Sequence, residues 1–290
     1  MFLKNLKWIL LFVLALIWGS SFILIKKGLI GLTPFQLGSL RIVFATIFLL
    51  LIGFKSIQTI PHTKWKFVAL TAFVGTFIPA YLFAIAETVI SSSIAAVLNS
   101  LTPLGALLIG VLAFGLQVQK RQIWGVIIGL IGSVLLVLNG ESDNAEQNIG
   151  YTLMVVFAAF CYSLNVNLIK KYLSDVKPLA ITTGNFMVLL IPALVVLYFT
   201  GFGDVMGKSE VQHAMIFIAI LGVLGTGIAN IIYFKLIQMS SPVFASSVTY
   251  MIPVVAFFWG ILDQEIFNPM QYLGAIIIFV GIYLSAKKNS

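Results

Sequence analysis

Few side chains in this sequence have the type and spacing to do chemistry, and they argue for recognition over bond-making. His62 and His213 fall in separate polar breaks, so no histidine pair stands at the i, i+4 spacing that holds a metal. The single cysteine, Cys161, lies inside an apolar run, where it can form neither an intrachain disulfide nor a cysteine-based metal site. No nucleophile with an attendant base is visible, so no catalytic residue, metal or cofactor is assigned.

What remains is a set of polar and aromatic side chains inside long apolar runs. Arg41 is the charged residue most clearly placed there. Burying a cation in lipid costs at least about 2.5–3.5 kcal/mol on insertion scales. Arg41 therefore either meets a carboxylate or other anion in a cavity, or serves as a structural arginine that snorkels or caps carbonyls. Trp18, Ser20, Ser21 and Phe22 lie in the first run, and Tyr162, Asn165 and Asn167 in the sixth. In lipid such groups need internal partners, supplied by a shared wet cavity or by hydrogen bonds between helices. The fourth and ninth runs set Asn99, Ser100, Thr102 and Pro103 against Thr249, Tyr250, Ile252 and Pro253. Each proline frees the carbonyl one turn earlier, which makes a kink that offers this carbonyl to a solute, or an ordinary packing feature. Tyr81 in the third run, with Asn230 and Tyr233 in the eighth, adds aromatic faces and amides suited to a partly aromatic solute or to core packing. Glu87, Asp263 and Glu265 sit at the ends of runs, where carboxylates are ordinarily hydrated. Proton coupling through a buried carboxylate is not expected.

The elements that position these residues follow from composition. The chain has 290 residues, 60% hydrophobic and 9% charged, with a mean hydropathy of +1.09. That is too little polar surface for a water-soluble globule of this size. Dividing the length by about 20 residues per span plus a short connection predicts ten membrane-crossing helices in an all-α membrane protein. The apolar runs place them at Trp8–Ile25, Phe35–Phe54, Trp65–Ala86, Ser92–Leu116, Gln122–Leu138, Gly150–Ile169, Leu179–Thr200, Ala214–Phe234, Val243–Leu262 and Met270–Ser285. The links Thr88–Ser91 and Ser240–Pro242 are short enough to demand tight hairpins, and no loop is long enough to fold as a domain. Met1–Ser21 has the basic start and apolar stretch of a signal peptide, but Trp18 and Phe22 spoil a small-residue cleavage site, so retention is expected.

Charges sort by side. On the side of the N-terminus fall Lys4, Lys7, Lys55, Lys64, Lys66, Lys120, Arg121, Lys170, Lys171, Lys177, Lys235, Lys287 and Lys288, against Asp175 alone. On the other fall Lys26, Lys27 and Lys208, against Glu87, Glu141, Asp143, Glu146, Asp204, Glu210, Asp263 and Glu265. Cytoplasmic loops retain Lys and Arg, so both termini are expected in the cytoplasm, with a bacterial inner membrane as the setting. The formal charge of +8 is spread singly or in pairs between the runs. It is a topology signal, and no nucleic-acid partner is expected.

The chain also repeats itself. A shift of 144 lays Ser21–Lys27 on Asn165–Lys171, with identity at four or more places, and Pro34 on Pro178. A shift of 150 pairs Gly75–Thr76 with Gly225–Thr226, Ser91 with Ser241, Ala95 with Ala245, Pro103 with Pro253 and Gly110 with Gly260. A shift of 149 pairs Gly125 with Gly274 and Gly132 with Gly281. Two five-helix repeats, 1–140 and 141–290, are therefore predicted, and an odd number of spans in each inverts one against the other. Such halves can expose one cavity to either side in turn, which is alternating access. Gly125, Gly129, Gly132, Gly274 and Gly281 suit close helix contact, either within the chain or with a second copy in a homodimer.

At Trp18-Gly19-Ser20-Ser21-Phe22 the sequence resembles the EamA family of the drug/metabolite transporter superfamily, and the resemblance extends over essentially the whole chain. It is carried further by Thr33-Pro34 with Arg41, by Ser91–Ala96 leading to Pro103, by Ser240–Ser247 leading to Pro253, and by Asp263-Gln264-Glu265 with Gln271, Gly274 and Gly281. Two places depart from the family pattern: Gly115-Leu116-Gln117 replaces a Gly-Glu pair, and Phe160-Cys161-Tyr162 a Trp-containing motif. The resemblance implies export or exchange of small metabolites, amino acids and amphipathic aromatic compounds among them. The competing readings are a helper subunit of a larger complex, an intramembrane enzyme and a channel. The enzyme has no constellation to run it, and the channel no filter-like motif.

Overall fold

The computed structural model describes residues 2–90, 92–138, 149–262 and 269–286, with side chains described throughout these except at 2–5, 22, 92–94, 136–138, 256–262, 271 and 286. Every described element is helical. In chain order these are α1 (Phe2–Leu29), α2 (Pro34–Ile57), α3 (Trp65–Ala72) continued through a π-helical stretch (Phe73–Phe77) into α4 (Ile78–Ala86), α5 (Ser92–Asn99), α6 (Thr102–Phe114) and α7 (Lys120–Leu138). There follow α8 (Ile149–Tyr172), α9 (Pro178–Phe199), the short α10 (Phe202–Val205), and α11 (Ser209–Ile220), which runs through a second π-helical stretch (Leu221–Ile228) into α12 (Ala229–Met239). Then come α13 (Pro242–Ser246), α14 (Val248–Leu262) and α15 (Pro269–Ala286).

Seven stretches of these helices are long and apolar enough to cross a bilayer, and two shorter apolar helices, Pro242–Val255 and Tyr272–Ser285, cover much of the expected ninth and tenth runs. The chain is a multi-pass membrane protein. The helices overrun the expected spans because polar residues extend them beyond the apolar core: α1 takes in Lys26 and Lys27, and the third and eighth runs continue through their π-helical stretches. The fourth and ninth runs are instead broken, at Ser100–Leu101 and at Ser247. The expected hairpin residue Ser91, the acidic pair Asp263 and Glu265, and the Phe22 and Gln271 side chains lie outside the described residues.

Local chemistry explains the ends. Thr33 caps α2 in a reciprocal box with Gln36, and Pro34 supplies the preset φ of the first turn. Gly115 adopts φ 63° after α6, which lets the Leu116 amide donate to the Gly110 carbonyl; a side chain would resist that left-handed geometry. At another connection Lys64 Nζ donates to the Tyr172 carbonyl at 2.7 Å and pairs with Asp175 at 2.6 Å, tying the start of α3 to the end of α8.

Packing groups the helices around a centre. One group is α1 with α11, α12 and α14; another is α8 with α4, α5 and α6. Two further pairs flank them, α2 with α9 and α7 with α15. The α7–α15 contact is backbone on backbone: a Cβ on Gly281 would stand 2.5 Å from the Gly129 amide nitrogen, and one on Gly132 would stand 2.8 Å from the Ile278 amide nitrogen. The glycine faces are used within the chain.

Two predictions follow from these contacts. Gly281→Ala drives a methyl into backbone that cannot swing aside and lowers stability by about 1–3 kcal/mol, whereas Gly203→Ala, with nothing within 4 Å, is nearly neutral; thermal unfolding in detergent separates them. The hydrogen bond from Lys64 and that from its own backbone amide hold the Asp175 carboxyl below its ordinary range. Its contribution is present above that range and lost as pH falls through the lowered value, so Asp175→Asn removes this part of the acid-side loss in a pH series of melts.

A polar cavity between the helix groups

The two π-helical stretches sit where α1 and α8 come closest to them. A π turn leaves part of the helical hydrogen-bond ladder open. In the second stretch the Gly225 carbonyl accepts from Trp18 Nε1 at 3.0 Å. Glycine makes the approach possible: Gly225 lies against Ser21 Oγ, at 2.8 Å from where a Cβ would be, and Gly75 in the first stretch lies directly against the Asn165 amide.

Between these contacts lies a cavity of about 100 Å³, where roughly 10–15 Å³ suffices for one water. Its walls come from α1 (Trp18, Ser21, Ile25), Arg41 of α2, the first π stretch and α4 (Gly75, Thr76, Ala80, Phe83), Glu87, α5–α6 (Asn99, Thr102), α8 (Tyr162, Asn165), the second π stretch and α12 (Gly225, Thr226, Asn230, Tyr233), and α14 (Thr249, Ile252). Most of this lining falls into pairs: Trp18 and Ser21 precede Tyr162 and Asn165 by 144 residues, and Gly75, Thr76, Phe83 and Asn99 precede Gly225, Thr226, Tyr233 and Thr249 by 150. The contacts pair in the same way. Trp18 stands edge-on to Tyr233 with ring centres 4.9 Å apart, and Tyr162 faces Phe83 at 6.1 Å.

The charges break this symmetry. Arg41 Nε donates to Thr226 Oγ1 at 2.6 Å, which fixes the guanidinium on the cavity wall. Glu87, the residue closing α4, lines the same cavity, and its charge acts on Arg41. Asn165 is only 2% exposed, and its buried Oδ1 has no hydrogen-bond partner among the described residues. A buried carbonyl oxygen in that condition calls for a donor from a solute or from water. A cation, an anion and an unspent acceptor thus face one aromatic-walled space, which suits it to hold a small molecule bearing both charges.

Of the residues singled out from sequence, Trp18, Ser21, Arg41, Asn99, Tyr162, Asn165, Asn230 and Tyr233 meet at this cavity. Tyr81, Tyr250, Pro103 and Pro253 are not among its lining residues. The Tyr81 hydroxyl pairs with Ser39 Oγ at 2.8 Å, and its ring packs against Phe35 and Phe77. Tyr250 is fully buried against Gly129 and donates to the Val126 carbonyl at 2.9 Å. Pro103 starts α6 at the break in the fourth run, and Pro253 continues inside α14. The Asn99 carbonyl, one turn before Pro103, accepts from Thr102 Oγ1 at 2.7 Å instead of turning to the cavity. The Phe22 side chain is outside the described residues. Thr102, Thr249 and Ile252, set against one another from sequence, also line it, whereas Glu87, Thr76 and Thr226 were missed as lining groups. The repeated Gly-Thr pair was the available signal for two of them.

Comparison with known proteins gives a concordant result. A family described as "EamA-like transporter family" matches residues 6–138 and 149–287. The S-adenosylmethionine/S-adenosylhomocysteine transporter of Chlamydia trachomatis (serovar L2) is 24% identical over 90% of this chain and 83% of its own length. A probable amino-acid metabolite efflux pump of Escherichia coli (strain K12) is 22% identical over 96% of this chain and 93% of its own. A solved crystal structure of a protein 15% identical in sequence superposes with a TM-score of 0.74 over 96% of this chain and 95% of that one, which shows a shared fold.

The geometry separates site from scaffold by stability. Asn165→Leu removes an unsatisfied buried oxygen and is neutral or stabilising in a detergent melt. Tyr250→Phe, which loses a made hydrogen bond, costs about 0.5–1.5 kcal/mol.

Proposed function

The chain belongs to the EamA-like transporter family, and from that premise we propose that it carries small metabolites bearing an α-amino acid group across the inner membrane of a bacterium, by alternating access. The carboxylate of the solute pairs with Arg41 and its ammonium with Glu87, while Trp18, Tyr162 and Tyr233 hold the side chain. The observation that carries this reading is the presence of Arg41 and Glu87 on the walls of one cavity. Both are part-buried, and the two ends of a zwitterion can engage a cation and an anion on the walls of that cavity at once with charge-assisted hydrogen bonds. Asn165 Oδ1 accepts a further hydrogen from the ammonium. The named solutes of the Chlamydia relative, S-adenosylmethionine and S-adenosylhomocysteine, both carry an α-amino acid group.

Ten spans in two inverted five-helix repeats form the frame of this carrier. The pairing of lining residues at separations of 144 and 150 supports it, because related halves in opposite orientation can exchange conformations about a shared site. The separation of basic from acidic loops supports cytoplasmic termini. The end of the cavity at Ile25 and Glu87 then faces outward.

Uptake into proteoliposomes, competed by an aromatic amino acid, by the corresponding amine and by the corresponding carboxylic acid, tests the assignment. Wild type prefers the zwitterion; Arg41→Gln loses the preference over the amine, and Glu87→Gln that over the acid, each with a fall of about 10–1000-fold in apparent affinity for the zwitterion. Folded, transporting variants with wild-type selectivity would refute these roles.

A further inference from the structure

The two ends of the cavity contain corresponding groups in different arrangements. Where α8 and α12 finish, Lys170 Nζ donates to the backbone oxygens of Ile237, Gln238 and Ser240 at 3.2, 2.8 and 2.6 Å. The final carbonyls of a helix lack intrahelical donors and carry the negative end of its dipole, so an ammonium is held there firmly. Gln238 reaches back, its Nε2 donating to the Leu173 carbonyl at 3.0 Å and to that of Val176 at 2.7 Å. These five hydrogen bonds lash the end of α8 to the end of α12.

At the other end the corresponding groups are parted. A shift of 144 carries Lys170 to Lys26 and Leu173 to Leu29, and a shift of 150 carries the carbonyls of Ile237, Gln238 and Ser240 to those of Glu87, Thr88 and Ile90. Lys26 is exposed. The Thr88 hydroxyl turns back onto the Ile85 carbonyl at 2.7 Å. Ile25 of α1 and Glu87 after α4 stand on the wall of the cavity itself.

We infer that Lys170 is the latch of the form seen in this structure, and that Lys26 takes the corresponding grip on the carbonyls of Glu87, Thr88 and Ile90 when the cavity turns to the other end. The inference rests on the alternating-access reading above and adds the groups that hold each form. A lysine suits the task because its long stem lies along apolar surface while the ammonium reaches carbonyls at the helix end. Neither latch needs to touch the solute. Each biases the equilibrium between forms, and a solute that binds both forms equally leaves that bias unchanged. Gln238 adds two bonds that Thr88 is too short to copy, so the form closed at Lys170 is the resting one.

Single reporter cysteines in a Cys161→Ser background test this in nanodiscs: Ile25→Cys, on the cavity wall, and Leu173→Cys, buried at the latched end, with Val176→Cys as the alternative if Leu173→Cys misfolds. Lys170→Met raises labelling of the Leu173→Cys reporter by a water-soluble thiol reagent about tenfold and lowers that of Ile25→Cys. Lys26→Met does the reverse, and Lys→Arg at either position keeps the wild-type pattern. Reporters that respond to Lys170→Met but not to Lys26→Met overturn the latch at Lys26 and leave alternating access standing. If transport-competent protein never labels at the Leu173 end, even with Lys170→Met, alternating access fails with it.

Discussion

A bilayer offers no water to satisfy polar groups, so each one inside it must be satisfied by the protein or by what the protein carries. Most of the buried hydroxyls meet this constraint locally. Thr46, Ser100, Ser163, Thr182, Thr183 and Ser285 each donate to the carbonyl four residues earlier. Arg41, whose Nε donates to Thr226 Oγ1, gathers with Glu87 and Asn165 around one space. Among the described residues a few buried polar atoms away from this space, at Gln119, Arg121 and Asn167, also have no hydrogen-bond partner, so what marks the site is the convergence of a cation, an anion and an amide on one cavity.

The same constraint explains the π-helical stretches and their glycines. An opened turn in the membrane is tolerable where it lines a cavity and its freed carbonyls find donors, as Gly225 does in Trp18. Glycine lets Ser21 and Asn165 come up against these turns. Most lining positions pair at separations of 144 or 150 residues, but the charges do not. The position 144 residues after Arg41 is Asn185, which meets Thr71 Oγ1 at 3.2 Å within the scaffold, and the position 150 residues after Glu87 is Ile237. Charges of opposite sign on the walls of one cavity, without counterparts in the repeat, suit recognition of a solute with distinct ends.

The helical class and the lengths of the runs were legible because apolar stretches of about 20 residues have few other uses. Which residues share a cavity was only partly legible. Residues matched across the repeat, such as Trp18 with Tyr162 and Ser21 with Asn165, do line it. Tyr81 and Tyr250 do not, because a membrane helix is apolar on every side and its pattern does not say which face meets a cavity. A tyrosine hydroxyl is satisfied equally well by Ser39 or by the Val126 carbonyl. The prolines misled for a related reason: the break in the fourth run falls before Pro103, and a neighbouring threonine takes the freed carbonyl. Glu87 looked like a hydrated end of a span because sequence does not report that the cavity reaches the end of α4.

The most direct measurement is counterflow with the unaltered protein in liposomes. Unlabelled solute is loaded inside, and entry of trace labelled solute is followed with and without a proton gradient. The account predicts that internal amino acid accelerates entry of labelled amino acid, and that the decarboxylated or deaminated analogue does not. Entry equal to that in protein-free liposomes across the whole panel, from protein verified as folded and reconstituted, would contradict a carrier built on this cavity.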